Sequence, residues 1–194
     1  MQYSPGVRLE NSFQVPAGPE QAWALLNDIP RVVPCMPGAE LTEVVGNDAW
    51  KAVMHVKLGP IALQFGTDIV RAESSEAEHR CVLEAKAREL KGRGGAQARI
   101  ESTLAEADGR TTVTITTDLT LQGTVAQYGR GIVADVSAEL TRQFAQCLAS
   151  KLEAPAGGAP AAVAPEPAAV KPIGGMRLGL AALWRSLVGL VRRG

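Results

Sequence analysis

Side chains suited to acid–base, nucleophilic or metal chemistry are few in this chain, and they are scattered. His55 alternates with lysines on one face of a predicted strand, and His79 lies in a charged turn, so we expect both to be plain surface residues. No spacing of His, Cys, Asp and Glu is typical of a metal site. The chain also has neither a nucleophile elbow nor a phosphate-binding loop. The sequence therefore predicts no metal and no catalytic residue.

One charged stretch has the side chains that acid–base catalysis would need: Glu84, Lys86, Arg88 and Glu89. The alternation of polar and apolar residues there directs the first three of them away from the core. The basic residues of this stretch and of the turn after it form either a solvated strand end or a docking site for an acidic partner; they are Lys86, Arg88, Lys91 and Arg93. We therefore expect a binding protein rather than an enzyme.

The three cysteines, Cys35, Cys81 and Cys147, are odd in number and widely spaced. This pattern predicts free thiols in a reducing cytoplasm rather than a disulfide framework or a metal cluster. Cys35 lies in the segment 32–38, which two prolines stiffen and to which Met36 adds an adaptable apolar surface. We expect this segment to be the mouth of a binding cavity, with Cys35 a spectator rather than a nucleophile.

Charge divides the chain into unlike parts. The formal net charge of the 194 residues is zero, but residues 1–153 contain 15 basic and 19 acidic residues. That balance argues against nucleic acid as a partner. The first residues have no apolar core of the signal-peptide type, which argues against export. Residues 154–172 are rich in Pro and Ala and predict a flexible linker.

The segment 173–194 predicts an amphipathic helix with a basic polar side and no acidic residue. Its apolar runs are much shorter than the roughly 20 residues that span a bilayer, so we expect it to lie on an anionic lipid surface. The residues expected to contact the membrane are Met176, Leu180, Leu183, Trp184, Arg185, Leu187, Leu190, Val191 and Arg192. Docking on the chain's own domain or in a groove of a partner protein is the alternative.

The periodicity of residues 7–153 predicts strand, two short helices, six strands and a long helix. The predicted strands span 7–15, 39–45, 49–58, 61–71, 80–89, 95–106 and 110–121. Each has one polar and one apolar face, which indicates an antiparallel sheet that a long amphipathic helix over about 124–153 covers on one side. The predicted fold is α+β, with a seven-stranded antiparallel sheet wrapped around the C-terminal helix.

Small residues on the inward face of two neighbouring strands suggest a cavity beneath that helix. Ala85 and Ala87 face inward on one predicted strand, and Ala96 and Ala98 on the next. Small side chains opposite a helix leave space, although close packing of the helix on the sheet would also explain them. Two explanations also fit Gly123 and Gly129 at the start of the helix. They allow either close approach of the backbone to a ligand or simply the backbone geometry with which the helix begins.

Four segments of this part of the chain are distinctive: FQVPAGPEQAWALLND at 13–28, VVPCMPGAEL at 32–41, VKLGPI at 56–61 and GTVAQYGRGIV at 123–133. In this order they resemble the CoxG family of carbon monoxide dehydrogenase subunits, which belongs to the START-like, or SRPBCC, superfamily. The resemblance covers residues 7–153 and implies a helix-grip fold with an apolar cavity. It also implies association with subunits of a molybdenum hydroxylase of the carbon monoxide dehydrogenase type, and their recruitment to the cytoplasmic membrane.

These expectations combine into one hypothesis for residues 1–153, 154–172 and 173–194. The first would be a START-like domain, the second a linker, and the third a tail that holds the protein at the cytoplasmic face of the membrane. We expect an isoprenoid quinone, menaquinone or ubiquinone, in the cavity, and no covalent cofactor. The expected lining is Trp23, Leu26, Met36, Met54, Val56, Phe65, Ile115, Tyr128, Ile132, Val136 and Phe144. The alternatives are a ligand-free anchor or assembly factor, and an enzyme of the polyketide-cyclase type.

Overall fold

The structure is a computed structural model that describes residues 6–58 and 61–154. Side chains are described for all of these except Leu58 and residues 128–130. The predicted linker beyond Ala154 and the predicted membrane-binding tail lie outside the described residues. Within the described part, no helix is both long enough and apolar enough to cross a membrane.

The domain follows the predicted order of elements. Its strands are β1 (Val7–Val15), β2 (Ala39–Val44), β3 (Ala49–Leu58), β4 (Ile61–Ser75), β5 (Arg80–Glu89), β6 (Gly94–Ala107) and β7 (Arg110–Gly123). The helices are α1 (Pro19–Asn27), α2 (Ile29–Val32) and α3 (Gly129–Glu153), with 3₁₀ helices at Val33–Cys35 and Thr124–Tyr128. Pro19 is in the first turn of α1, where a missing backbone N–H costs no hydrogen bond.

The seven strands form one antiparallel sheet in the order β1-β7-β6-β5-β4-β3-β2. The first strand therefore pairs with the last, and α3 lies over the face of the sheet that carries the apolar residues, as predicted. Cross-strand partners share a face of a sheet. One inward row across six strands consists of Val7, Leu119, Ala98, Ala85, Ile69 and Trp50.

Two predicted boundaries were wrong by four residues or more, and the other strand boundaries agree within two residues. β4 continues to Ser75, four residues beyond the predicted end at 71, because a bulge between Arg71 and Glu73 breaks the alternation without ending the pairing with β5. The predicted helix over 124–153 is also interrupted, since residues 124–128 form a 3₁₀ helix and α3 begins at Gly129. Gly123, with φ +72, makes this entry turn, and a Cβ there would collide with the backbone of Arg93 and Gly94.

The prediction of three free cysteines was wrong for two of them. Cys35 and Cys147 form a disulfide between the first 3₁₀ helix and α3, with a Cα–Cα distance of 5.3 Å. These residues are 112 positions apart, so their proximity exists only in the folded chain. Only Cys81 is a free thiol in the described part, and burial raises its pKa. The cysteines therefore no longer support a reducing compartment.

Buried apolar residues form three separate clusters. The large cluster lies where the turns β4–β5 and β6–β7 close the sheet, and it includes Trp23, Phe144 and Leu148. The edge cluster consists of Ile29, Val33 and Trp50. The distal cluster, Leu63, Phe65 and Val125, lies at the opposite end of the sheet, near the second 3₁₀ helix. The space between α3 and the sheet lies among these clusters.

Candidate ligand-binding site

The middle of the inward face carries small and apolar side chains that α3 covers only in part. We call five of them the central floor: Ala85, Ala98, Ile100, Thr117 and Leu119. Their register places them side by side on β5, β6 and β7, and all five are half-buried. Inward positions of the same strands nearer the large cluster, such as Cys81 and Val113, are 5% and 0% exposed. The central floor is therefore less completely covered than that end of the sheet.

Helix α3 has two halves with different packing. In the closed half, residues 140–153, Phe144 and Leu148 are 5% and 1% exposed and belong to the large cluster. In the open half, residues 131–139, Ile132 is 46% exposed and Val136 is half-buried. The apolar stripe predicted along this helix is therefore well packed only toward the C-terminus, and its N-terminal part is incompletely buried.

A polar contact marks the boundary between the two halves. The side-chain amide of Asn11, on β1, donates to the hydroxyl of Ser137 at 3.0 Å. Asn11 is the cross-strand partner of Ile115, so it lies on the inward face among apolar neighbours. Because a half-buried amide and hydroxyl need partners, this bond holds the middle of α3 at a defined distance from β1.

One buried hydroxyl on the inward face has no protein partner among the described residues. Thr67, on β4, is the cross-strand partner of Ala52 on one side and of Ala87 on the other. Its Oγ1 makes no hydrogen bond to any described residue. A hydroxyl can donate as well as accept. The inward face therefore combines small apolar side chains with one buried hydroxyl that no described protein group binds.

The structure places the eleven predicted lining residues in three locations. Five of them pack in or against the large cluster: Trp23, Leu26, Met36, Ile115 and Phe144. Three belong to the distal cluster or pack on it: Met54, Val56 and Phe65. Ile132 and Val136 lie on the open half of α3, and the side chain of Tyr128 lies outside the described residues. The predicted lining thus lies on both sides of the central floor, and its members in the large cluster belong to a packed core.

Sequence reasoning overlooked several residues that shape this site. Val125 is 3% exposed and joins the distal cluster from the second 3₁₀ helix, and Leu121 packs against it. Leu121 is inward by the alternation of β7, and Val125 lies on the apolar stripe of the predicted helix, so these two signals could have placed both residues in the lining. The Asn11–Ser137 contact and the free hydroxyl of Thr67 had no comparable signal, because a polar residue at an inward position reads as a break in the pattern.

The residues considered for catalysis are not brought together. His55 is exposed on the outer face, as predicted, whereas His79 packs its ring edge-on against Trp23 at 5.7 Å and is half-buried, which was not predicted. Glu84, Lys86 and Arg88 are directed to the outer face, as the alternation indicated. Within residues 6–58 and 61–154, no group of three or more His, Cys, Asp and Glu side chains is arranged to hold a metal ion.

The outer face of the sheet is dominated by ion pairs. Arg80 bonds Glu73 and Glu101 at 2.6 and 2.7 Å, and Arg99 bonds Glu73 and Glu84 at 2.6 and 3.3 Å. The hydrogen bond from Arg80 lowers the pKa of Glu101. A depression of about 260 Å³ beside this network is bordered mainly by charged and polar side chains, including Lys86 and Asp118. Its chemistry does not match an apolar ligand.

Glu89 differs from these outer-face carboxylates because it faces inward. It is the cross-strand partner of Phe65 and only 5% exposed. Its Oε2 accepts from the backbone N–H groups of Lys91 at 2.8 Å and Arg93 at 3.1 Å. Burial opposes its ionisation, but these hydrogen bonds outweigh burial and hold its pKa below the usual range. Glu89 therefore organises the β5–β6 turn.

Comparison with known proteins identifies a sequence family. The family model that describes CoxG, a subunit of carbon monoxide dehydrogenase, matches residues 12–153. That range contains β1 from Ser12 onward, the whole of the remaining sheet, and the three α-helices of the described part. Comparison with curated protein sequences finds no match.

Solved structures share the fold at low sequence identity. A conserved protein from Geobacillus kaustophilus is 20% identical with a TM-score of 0.67, covering 75% of this chain and 95% of that chain. The Zhui aromatase/cyclase from Streptomyces sp. R1128 is 16% identical with a TM-score of 0.57, covering 79% and 99%. A protein from Thermus thermophilus is 16% identical with a TM-score of 0.54, covering 75% and 97%. These similarities establish the START-like fold and nothing about a ligand.

Proposed function

Since the chain belongs to the CoxG family of carbon monoxide dehydrogenase subunits, we propose that it is a non-enzymatic accessory protein of a molybdenum hydroxylase of the carbon monoxide dehydrogenase type. Its domain would carry an apolar ligand between the central floor and α3, and residues 173–194 would hold it on the cytoplasmic membrane. The single observation behind the carrier role is the incomplete cover of the central floor.

An isoprenoid quinone is the ligand whose chemistry suits this site and this partner. It has a flat apolar ring with two acceptor oxygens and a long apolar chain, and it carries electrons between a redox enzyme and the respiratory chain. The small side chains of Ala85 and Ala98 leave room for a ring, and the hydroxyl of Thr67 offers a donor to a ring oxygen. Ile132 and Val136 on the open half of α3 would cover the isoprenoid chain.

The carrier role is tested by filling the floor. In Ala98→Phe, the larger side chain would occupy the space opposite α3, whereas in Ala105→Phe it would project from the exposed outer face of the same strand. We expect native mass spectrometry to detect bound quinone in the full chain and in Ala105→Phe after incubation with quinone-containing vesicles, and to detect none in Ala98→Phe. Equal loading of both variants, or no loading of the unaltered chain, would show that the carrier role is wrong.

The same preparations separate the alternative functions. An empty full-length chain that still captures the hydroxylase subunits supports a ligand-free anchor or assembly factor. Turnover of an added aromatic polyketide substrate that is lost in Tyr128→Phe supports an enzyme of the cyclase type.

The anchoring role of the tail is tested by truncation. Removing residues 173–194 is expected to release the protein from vesicles that contain anionic lipid, as co-sedimentation would show. Unchanged co-sedimentation would contradict the anchoring role of the tail.

A further inference from the structure

The β5–β6 turn combines an exposed leucine with exposed bases. Leu90 is 58% exposed, more than any other large apolar side chain in the described part of the chain. Lys91 and Arg93 are exposed beside it, and Lys86 and Arg88 lie on the outer face of β5. We call these five residues the basic tip. An exposed leucine among exposed bases is a combination that could contact a partner with both apolar and anionic groups.

In the part of the chain that the structure describes, the bases of the basic tip lack the close ion pairs found elsewhere in the sheet, although Asp68 is the cross-strand partner of Lys86. Within the described residues, none of its four bases forms an ion pair, whereas Arg71, Arg80 and Arg99 elsewhere in the sheet all do. The acidic residue of the turn, Glu89, is buried, and it binds the backbone of the turn rather than the side chains of the bases. The fold therefore directs the carboxylate of the turn inward and leaves the bases outward.

The basic tip lies at the open end of the site. Gly94, next to the turn, pairs with Gly123 at the end of β7, and the backbone N–H of Thr124 donates to the carbonyl of Arg93 at 2.9 Å. The second 3₁₀ helix and the start of α3 follow directly from this point. A surface in contact with the tip would thus lie beside the open half of α3 and away from the large cluster.

We propose that the basic tip docks on an anionic lipid surface, with its bases among the headgroups and Leu90 at the boundary of the acyl chains. This inference rests on the membrane association proposed above, and it adds a second contact that belongs to the domain itself. It would turn the open half of α3 toward the bilayer, so that an apolar ligand passes between bilayer and site without crossing water.

A lipid surface fits the tip better than an acidic protein does. Stable protein interfaces bury about 800 Å² and roughly 20–30 residues on each side, whereas the basic tip consists of one leucine and four bases. Lipid requires only charge and shallow insertion, because each base near an anionic surface strengthens binding by roughly fivefold. Protein docking is therefore an outcome of the test rather than a second proposal.

The test uses the full chain with an environment-sensitive fluorophore in place of Leu90. In Leu90→Cys, the introduced thiol is the accessible one, because Cys35 and Cys147 are bonded to each other and Cys81 is 5% exposed. Val45→Cys is the matched control, since Val45 is an exposed apolar residue in the β2–β3 turn at the opposite end of the sheet. With phosphatidylglycerol vesicles we expect a blue shift and a rise in intensity at position 90 and no change at position 45.

A charge reversal checks the electrostatic part of the proposal. Lys91→Glu should weaken partitioning of the full chain onto phosphatidylglycerol vesicles by about tenfold, because it removes one attraction and adds one repulsion. Arg110→Glu makes the same change at the exposed β6–β7 turn of the opposite end and should leave partitioning within about twofold of the unaltered chain, because that turn would face away from the lipid. Equal effects of the two reversals would overturn the proposal.

The remaining outcomes separate this inference from the proposed function. Binding through the tail with no change at position 90 would overturn docking of the tip and leave the anchor intact. A response at position 90 to the hydroxylase subunits, but not to vesicles, would overturn it in favour of a protein partner. A fluorescence change at position 90 on adding vesicles that persists after removal of residues 173–194 would support docking of the basic tip, even if the tail proves not to anchor the protein.

Discussion

The closed and open halves of α3 belong to one helix and differ in what they do. The closed half buries Phe144 and Leu148 in the large cluster and is bonded through Cys147 to the segment that follows α2. The open half exposes Ile132 above a floor of small side chains and lies near the basic tip. The comparison shows that one end of the helix is tightly packed and the other is not, and the ligand site that we propose lies at the loosely packed end.

The largest expected effect comes from truncating one apolar side chain in each half. Leu148→Ala should lower the free energy of unfolding by about 3–5 kcal/mol, because it leaves a cavity in a site that is 1% exposed. Ile132→Ala removes a side chain that is 46% exposed and should cost less than about 1 kcal/mol. Urea unfolding of both variants measures the difference. Similar losses would show that the two halves are packed alike.

The disulfide offers a second way to test the closed half. Replacing both partners, in Cys35→Ser with Cys147→Ser, should lower the free energy of unfolding by about 2–4 kcal/mol, because it frees a long loop in the unfolded chain. Treating the unaltered chain with dithiothreitol should have the same effect, and should have none on the double variant. Cys81, buried on the same side of the sheet, serves as an internal control, since it should remain unreactive in the folded protein. Insensitivity of the unaltered chain to dithiothreitol would contradict this bond.

The smallest expected effect concerns the boundary between the halves. Asn11→Ala and Ser137→Ala each remove one partner of a half-buried hydrogen bond and should each cost about 1 kcal/mol. The double variant should cost clearly less than the sum, with a coupling of at least about 0.5 kcal/mol. Additive losses in urea unfolding would mean that this contact does not hold α3 against β1. Gln14→Ala, which removes an amide on the exposed side of β1, is the matched control and should have little effect.

Much of the fold was predictable because its elements carry clear periodicity. The alternation of Val7, Leu9, Phe13 and Val15 is reproduced residue by residue in β1, and the seven strands and both short helices of the described part were expected. The family motifs led to the same START-like arrangement. The errors occurred where the local pattern is interrupted, at the bulge after Arg71 and at the 3₁₀ helix that separates Gly123 from α3.

The candidate site was less predictable than the fold. Trp23 and Phe144 were expected to line a cavity because they are large and face inward, and the structure packs both into the large cluster. An inward direction does not distinguish a side chain that fills a core from one that lines a space, because that depends on how closely the opposite element approaches. The inward alanines of β5 and β6 are half-buried, and the cavity that they were expected to mark stays a prediction.

The sequence by itself determined the order of the elements, the inward face of each strand and the family, because these depend on periodicity and on local motifs. Only the tertiary structure decided that Cys35 meets Cys147, that Glu89 turns inward to bind the backbone of its turn, and that α3 packs tightly at one end alone. The reason is physical. Periodicity reports which side of an element is apolar, whereas contacts and empty space depend on distances between elements that lie far apart along the chain.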